Sequence, residues 1–248
     1  MVDIFEVFEY PLLSEVVLEL RFPTRLSLPE YIGIFQDKII EEFPKLNEGY
    51  LTKIALSPDK GPPLQTDKVW DFKNPETKTL CKVLKNRFSI ISNKYKSWDQ
   101  HKSTKGFRNI LEFTLEKFLD TFPIKTFERI GLRYINKVEM EEYTSNWLNK
   151  LFIPIFDIEK YPIESLNENF TRLRVEKQDD IQIILQSTFI NDNNVDYYIL
   201  DFDAYLTNIE DKFLMEKADQ LHVEILKEFH SLITDECRKK MRGELKNE

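Results

Sequence analysis

Charged side chains recur at every second position along several apolar segments of the chain, and that spacing is where chemistry could be built. Glu15, Glu19 and Arg21, with Val17 between them, alternate with Val16, Leu18, Leu20 and Phe22. Arg129, Arg133 and Lys137 alternate with Ile130, Leu132, Tyr134 and Val138. Arg172, Arg174 and Glu176 fall in residues 170–176, and Asp201 and Asp203 in residues 197–205. A period of two sends successive side chains to opposite faces of a strand, so these charges are expected opposite the apolar stripes. In a curled sheet they would line a concave polar groove. Guanidinium groups match carboxylate and phosphate oxygens bidentately, and acidic pairs hold Mg²⁺ or Mn²⁺ through oxygen ligands. The candidate ligand-binding residues are therefore Arg129, Arg133, Arg172, Arg174, Glu15, Glu19, Asp201 and Asp203. The plainer reading is a solvated sheet face whose charges pair across strands, since the four carboxylates nearly balance the arginines.

The acidic and basic strands resemble the triphosphate tunnel metalloenzymes loosely. Those set a Glu-x-Glu-x-Lys strand beside basic strands inside a barrel. Here the first strand offers Glu19-Leu20-Arg21, with Glu15 four residues back and Val17 where a second glutamate would stand. No catalytic residue is assigned, and no metal or cofactor is implied. His222 and His230 are two helical turns apart, too far to share one metal, and His101 falls in a polar loop. Cys81 and Cys237 have no motif around them. With 6 glycines in 248 residues, there is no Gly-rich phosphate loop, Gly-x-Ser-x-Gly elbow or His-Glu-x-x-His.

Gly131 stands between arginine-bearing positions, which predicts that a backbone or a long side chain crosses the strand closely there. Tyr134 points to the apolar side, where its hydroxyl needs a partner if buried.

Lys82, Lys85, Arg87, Lys94, Lys96, Lys102, Lys105 and Arg108 interleave with Phe88, Tyr95, Trp98 and Phe107. That mix suits base stacking and phosphate contact. A basic hairpin that balances charge on an acidic protein explains it more simply, and the net charge of −8 disfavours nucleic acid or anionic membrane as a partner. The N-terminus lacks a signal-peptide pattern, and no apolar run nears the ~18 residues of a membrane span. A cytoplasmic protein is expected.

The elements that must position these residues follow from periodicity and punctuation. Strands are predicted over residues 11–23, 69–72, 128–140, 170–176, 181–189 and 197–205, with a hairpin at 80–95 turning at Lys85-Asn86. Helices are predicted after Ser27, whose spacing to Glu30 makes a capping box, over 103–122, around 145–152, and as one long element over 210–242. Residues 46–75 carry weak signals. Each half reads strand, helix, three strands, helix. The expectation is a single α+β domain over 1–248, with pseudo-halves of about 1–123 and 124–248. One broad curved antiparallel sheet of about eight strands should carry helices on one face.

Three segments together resemble a known family. They are the strand from Pro11-Leu12-Leu13-Ser14-Glu15-Val16 to Phe22, the motif Arg129-Ile130-Gly131-Leu132-Arg133-Tyr134-Ile135-Asn136, and a closing helix with Leu221-His222 and Phe229-His230. They resemble an uncharacterised, sporadically distributed prokaryotic family of about this length. Its members begin with a Pro-Leu-x-Glu-Val strand and carry an Arg-x-Gly-Leu-Arg-Tyr-x-Asn strand near the middle. Such patchy distribution implies a phage-defence or mobile-element accessory. The expected function is a binding module that recognises a protein partner or a phosphate-bearing ligand through the charged sheet face. The alternative is a metal-dependent phosphoryl-transfer enzyme using the same face.

Overall fold

In the computed structural model, residues 3–54, 64–101, 105–166 and 169–244 are described, with backbone alone at 52–54 and 64–65. Two strands rich in alternating apolar residues, β1 (Leu13–Arg21) and β6 (Thr126–Glu139), lie side by side and antiparallel. From each, the chain runs to an opposite end of the sheet and meanders back. After β1, α1 (Leu28–Ile39) leads to β2 (Lys45–Ile54). β3 (Leu64–Asn74), β4 (Thr79–Leu84) and β5 (Arg87–Ser92) then return to the free side of β1, and α2 (Phe107–Thr121) closes the half. After β6, α3 (Ser145–Leu151) leads to β7 (Phe170–Glu176). β8 (Gln182–Asp192) and β9 (Val195–Glu210) return to the free side of β6, before α4 (Leu214–Leu232) and α5 (Asp235–Arg242). The result is one nine-stranded sheet of order β2-β3-β4-β5-β1-β6-β9-β8-β7, with every pairing antiparallel.

The fold is α+β, as the strand and helix periods predict. The strand-helix-meander-helix plan recurs in both halves, but the first meander has four strands rather than three. The strand not foreseen is β2, whose Lys45-Leu46-Asn47-Glu48-Gly49-Tyr50 run lacks an alternating apolar face. Ring contacts show why helices take one face. Phe118 of α2 meets Phe22, Phe35, Phe88 and Phe122 at centroid distances of 5.8, 5.8, 4.4 and 5.0 Å. Leu221 and Ile225 of α4 are fully buried, and one hydrophobic cluster includes residues of both halves. Phe35 and Ile39 are buried, whereas Ile32 and Phe229 are only partly so.

Two helix ends differ from the sequence expectation. Ser27 makes no side-chain cap bond, because it already has helical backbone angles, and its carbonyl accepts from Glu30 N instead. The closing helix breaks at Ile233, which is extended and bridges Phe152. Thr234 then starts α5 by accepting from Cys237 N, while its own hydroxyl donates to the Lys150 carbonyl at 2.6 Å. The turn between β8 and β9 falls at Asn193-Asn194, both with positive φ (54° and 65°), the two-residue geometry asparagine tolerates. Among the described residues no helix is long and apolar enough to cross a membrane.

Candidate functional site

The sheet face away from the helices carries the predicted charges. The β1–β6–β9 register puts Glu19 opposite Gly131, and Gly131 opposite Tyr205. The Arg129 side chain lies back over Gly131, since a Cβ there would come within 2.3 Å of its Nη1. From that position Arg129 donates to Asp203 at 2.6 Å and, at 3.4 Å, to Glu19. Its guanidinium also sits 4.7 Å from the centre of the Tyr205 ring. The close crossing predicted at Gly131 is therefore made by a side chain of the same strand.

Beside it, Arg133 grips Asp201 bidentately, at 2.9 Å from Nε and 2.6 Å from Nη2, and Gln186 adds a bond at 3.1 Å. This pairing raises the Arg133 pKa. Asp201 is only 4 % exposed, although it belongs to the face that no helix covers. Burial raises the Asp203 pKa from its ordinary value, against the opposing pull of Arg129. Glu19 also takes Arg21 Nε at 2.7 Å and Arg87 at 3.2 Å. Glu15 stands apart and accepts from Asn93 at 2.8 Å.

The structure thus brings together Glu19, Arg129, Asp203, Arg133 and Asp201 as a paired network, and leaves Glu15 outside it. The four carboxylates do not converge. Among the described residues there is no group of three or more His, Cys, Asp or Glu placed to hold a metal ion. A cation at Asp201 and Asp203 would first have to displace both arginines, at the cost of a part-buried pair each.

Arg172 and Arg174 differ from this network. Both are exposed on β7, the last strand of the sheet. Arg174 donates to the neutral amide of Gln182 at 3.1 Å and lies 5.9 Å from the Tyr205 ring centre. Among the described residues neither makes an ion pair. Phe170 beside them is 62 % exposed, and Leu173, on the other face of the strand, is 42 % exposed.

The interleaved basic and aromatic residues do not form a base-stacking surface. Phe88, Trp98 and Phe107 are buried. Lys82, Arg87, Lys105 and Arg108 are paired with Asp71, Glu19, Glu42 and Asp219. Lys102 lies outside the described residues.

Sequence reasoning missed a second polar cluster, on the helix face. The Tyr134 hydroxyl finds its required partner in His222 Nδ1 at 2.7 Å, with Tyr95 behind it at 3.4 Å. The one readable signal was the need of a buried tyrosine hydroxyl for a partner. Burial holds the His222 pKa down at about 4 and raises that of Tyr134 well above its usual value.

The chain matches no protein-family model, no curated protein and no solved structure.

Proposed function

We propose that this protein is a non-catalytic binding module whose charged sheet face, at its β7 end, docks an extended acidic segment of a partner protein. The observation that carries the reading is that Arg172 and Arg174 are exposed and, among the described residues, free of carboxylate partners, while Arg129 and Arg133 are consumed by the sheet itself. Planar guanidinium groups two residues apart on one strand face match carboxylates two residues apart on a paired strand. β7 ends the sheet order, so its outer edge offers backbone groups for strand addition. Exposed Phe170 favours a polypeptide over a free phosphate ion, because it adds apolar contact beside the charges. The competing role for such arginines is to block edge-to-edge pairing.

The phosphoryl-transfer alternative is weaker, because Glu19, Asp201 and Asp203 are already bound by arginine and Glu15 stands apart from them. Membership in the prokaryotic family that the motifs resemble, a cytoplasmic location and an accessory role in phage defence or on mobile elements belong to the same proposal.

The test titrates the protein with an extended peptide of alternating glutamate and valine, and with its glutamine counterpart. The acidic peptide should bind more tightly, and Arg172→Glu with Arg174→Glu should weaken it by tenfold or more without changing the thermal midpoint. Inorganic phosphate serves as the second arm. Binding of phosphate alone would place a free anion on the site in place of a protein. Equal affinity in the charge-reversed variant would reduce the arginines to edge protection.

A further inference from the structure

The helix face holds a cavity of about 200 Å³ between the sheet, α4 and the N-terminal segment, and its walls include Phe8, Tyr95, Trp98, Tyr134, His222 and Phe229. An apolar cavity of about 150 Å³ takes a benzene-sized molecule, so this one has room for a single ring with a small substituent. We infer that the cavity is a binding site for a small uncharged ring compound bearing one hydrogen-bond acceptor, held by the Nε2–H of His222.

His222 is 6 % exposed, and among the described residues its Nε2 has no hydrogen-bond partner. Its other nitrogen is committed to Tyr134. A phenol O–H is a far better proton donor than a neutral imidazole N–H, so at 2.7 Å the proton belongs to the Tyr134 oxygen and Nδ1 accepts. The neutral ring must then carry its own proton on Nε2, as a donor. Nε2 keeps some accessible surface, so a ligand carbonyl or ring nitrogen would take the place of water on this donor.

The imidazole is held for this role from several sides. Trp98 stacks on it at 4.5 Å with the planes 10° apart. Trp98 is anchored by its Nε1 donating to Asp219 at 2.8 Å, a carboxylate also gripped by Arg108. The loop that carries Trp98 rides against the start of α2, where Phe107 N donates to Ser97 and Arg108 N to Trp98. Only glycine fits at position 106 there, because a Cβ would come within 2.3 Å of the Trp98 carbonyl oxygen. The wall formed by residues 4–8 is tied down by Arg242, which donates to Glu6 at 2.5 and 2.7 Å. That carboxylate is engaged and His222 is neutral, while Lys96, also in the wall, is exposed to water, so the inner lining favours an uncharged ring.

The experiment uses the full-length protein with benzamide as the probe, toluene as the ring without an acceptor, and benzoate as the charged ring. Benzamide should bind saturably, raise the thermal midpoint and shift the ¹⁵N resonances of the His222 ring, with toluene weaker and benzoate weaker still. In His222→Phe, the advantage of benzamide over toluene should disappear. Should that variant fail to fold, the ¹⁵N shift in the unaltered protein decides alone. No saturable binding of any ring, or benzamide binding that leaves the His222 resonances unmoved, overturns the inference.

Discussion

Arg129 occupies the space that a side chain at position 131 would need: its Nη1 lies 2.3 Å from where a Gly131 Cβ would sit. The glycine lets the guanidinium lie flat on its own strand and reach Asp203 at 2.6 Å on the neighbouring one. Gly131→Ala should therefore push Arg129 off the sheet and leave Asp203, already burdened by burial, without its cation. A loss of up to about 1 kcal/mol is expected, because Asp203 is part-exposed and the guanidinium is the flexible end of its side chain, read as a lower urea midpoint. An unchanged midpoint would mean that Arg129 contributes nothing where it lies.

Arg133→Ala tests the neighbouring pair. Asp201 is buried while the Arg133 side chain is 45 % exposed, so the cost falls between that of a surface pair and that of a broken buried pair. About 1–3 kcal/mol is expected. Asp201→Asn, which keeps the shape and drops the charge, should cost less than Arg133→Ala, because it strands no buried carboxylate. The reverse order would show the arginine to be the dependent partner.

These relationships were legible in the sequence to different degrees. Period-two alternation suffices for β1 and β6, because apolar residues dominate their helix faces, with Asn136 the buried amide among those of β6. The same rule fails for β2, where Glu48 faces the helix side with Leu46 and is kept there by a bond from Trp70 Nε1 at 2.8 Å. The break between α4 and α5 hides because Ile233, Cys237 and Met241 continue a four-residue apolar spacing straight through it. Thr234-Asp235-Glu236 carries the readable signal, a cap residue followed by acidic first-turn positions. For the site, alternation placed the charges on one face correctly, but it could not tell a locked arginine from a free one. That depends on register across three strands. The Tyr134–His222 bond joins residues 88 apart in the chain, beyond any local pattern.

Stability should depend on pH through His222. Burial holds its pKa at about 4, against 6.5 for the free side chain. The folded state thus favours the neutral ring, and that contribution is complete above about pH 6.5 and is lost as the pH falls toward 4. The shift corresponds to something on the order of 3 kcal/mol over that window, with the depressed pKa of His230 acting in the same direction. His222→Gln, which cannot titrate, should flatten the decline in urea midpoint between pH 6.5 and 4. An equally steep decline in that variant would assign the acid sensitivity to other groups.

The most direct test of the central claim follows the backbone amides of β7 by NMR while the acidic, valine-alternating peptide is added. Docking along the edge strand predicts saturable shifts at residues 170–176 and slowed hydrogen exchange at those amides, with Gly131 and its network undisturbed. Shifts centred on Arg129 and Arg133 with β7 silent, or none at all, would contradict it.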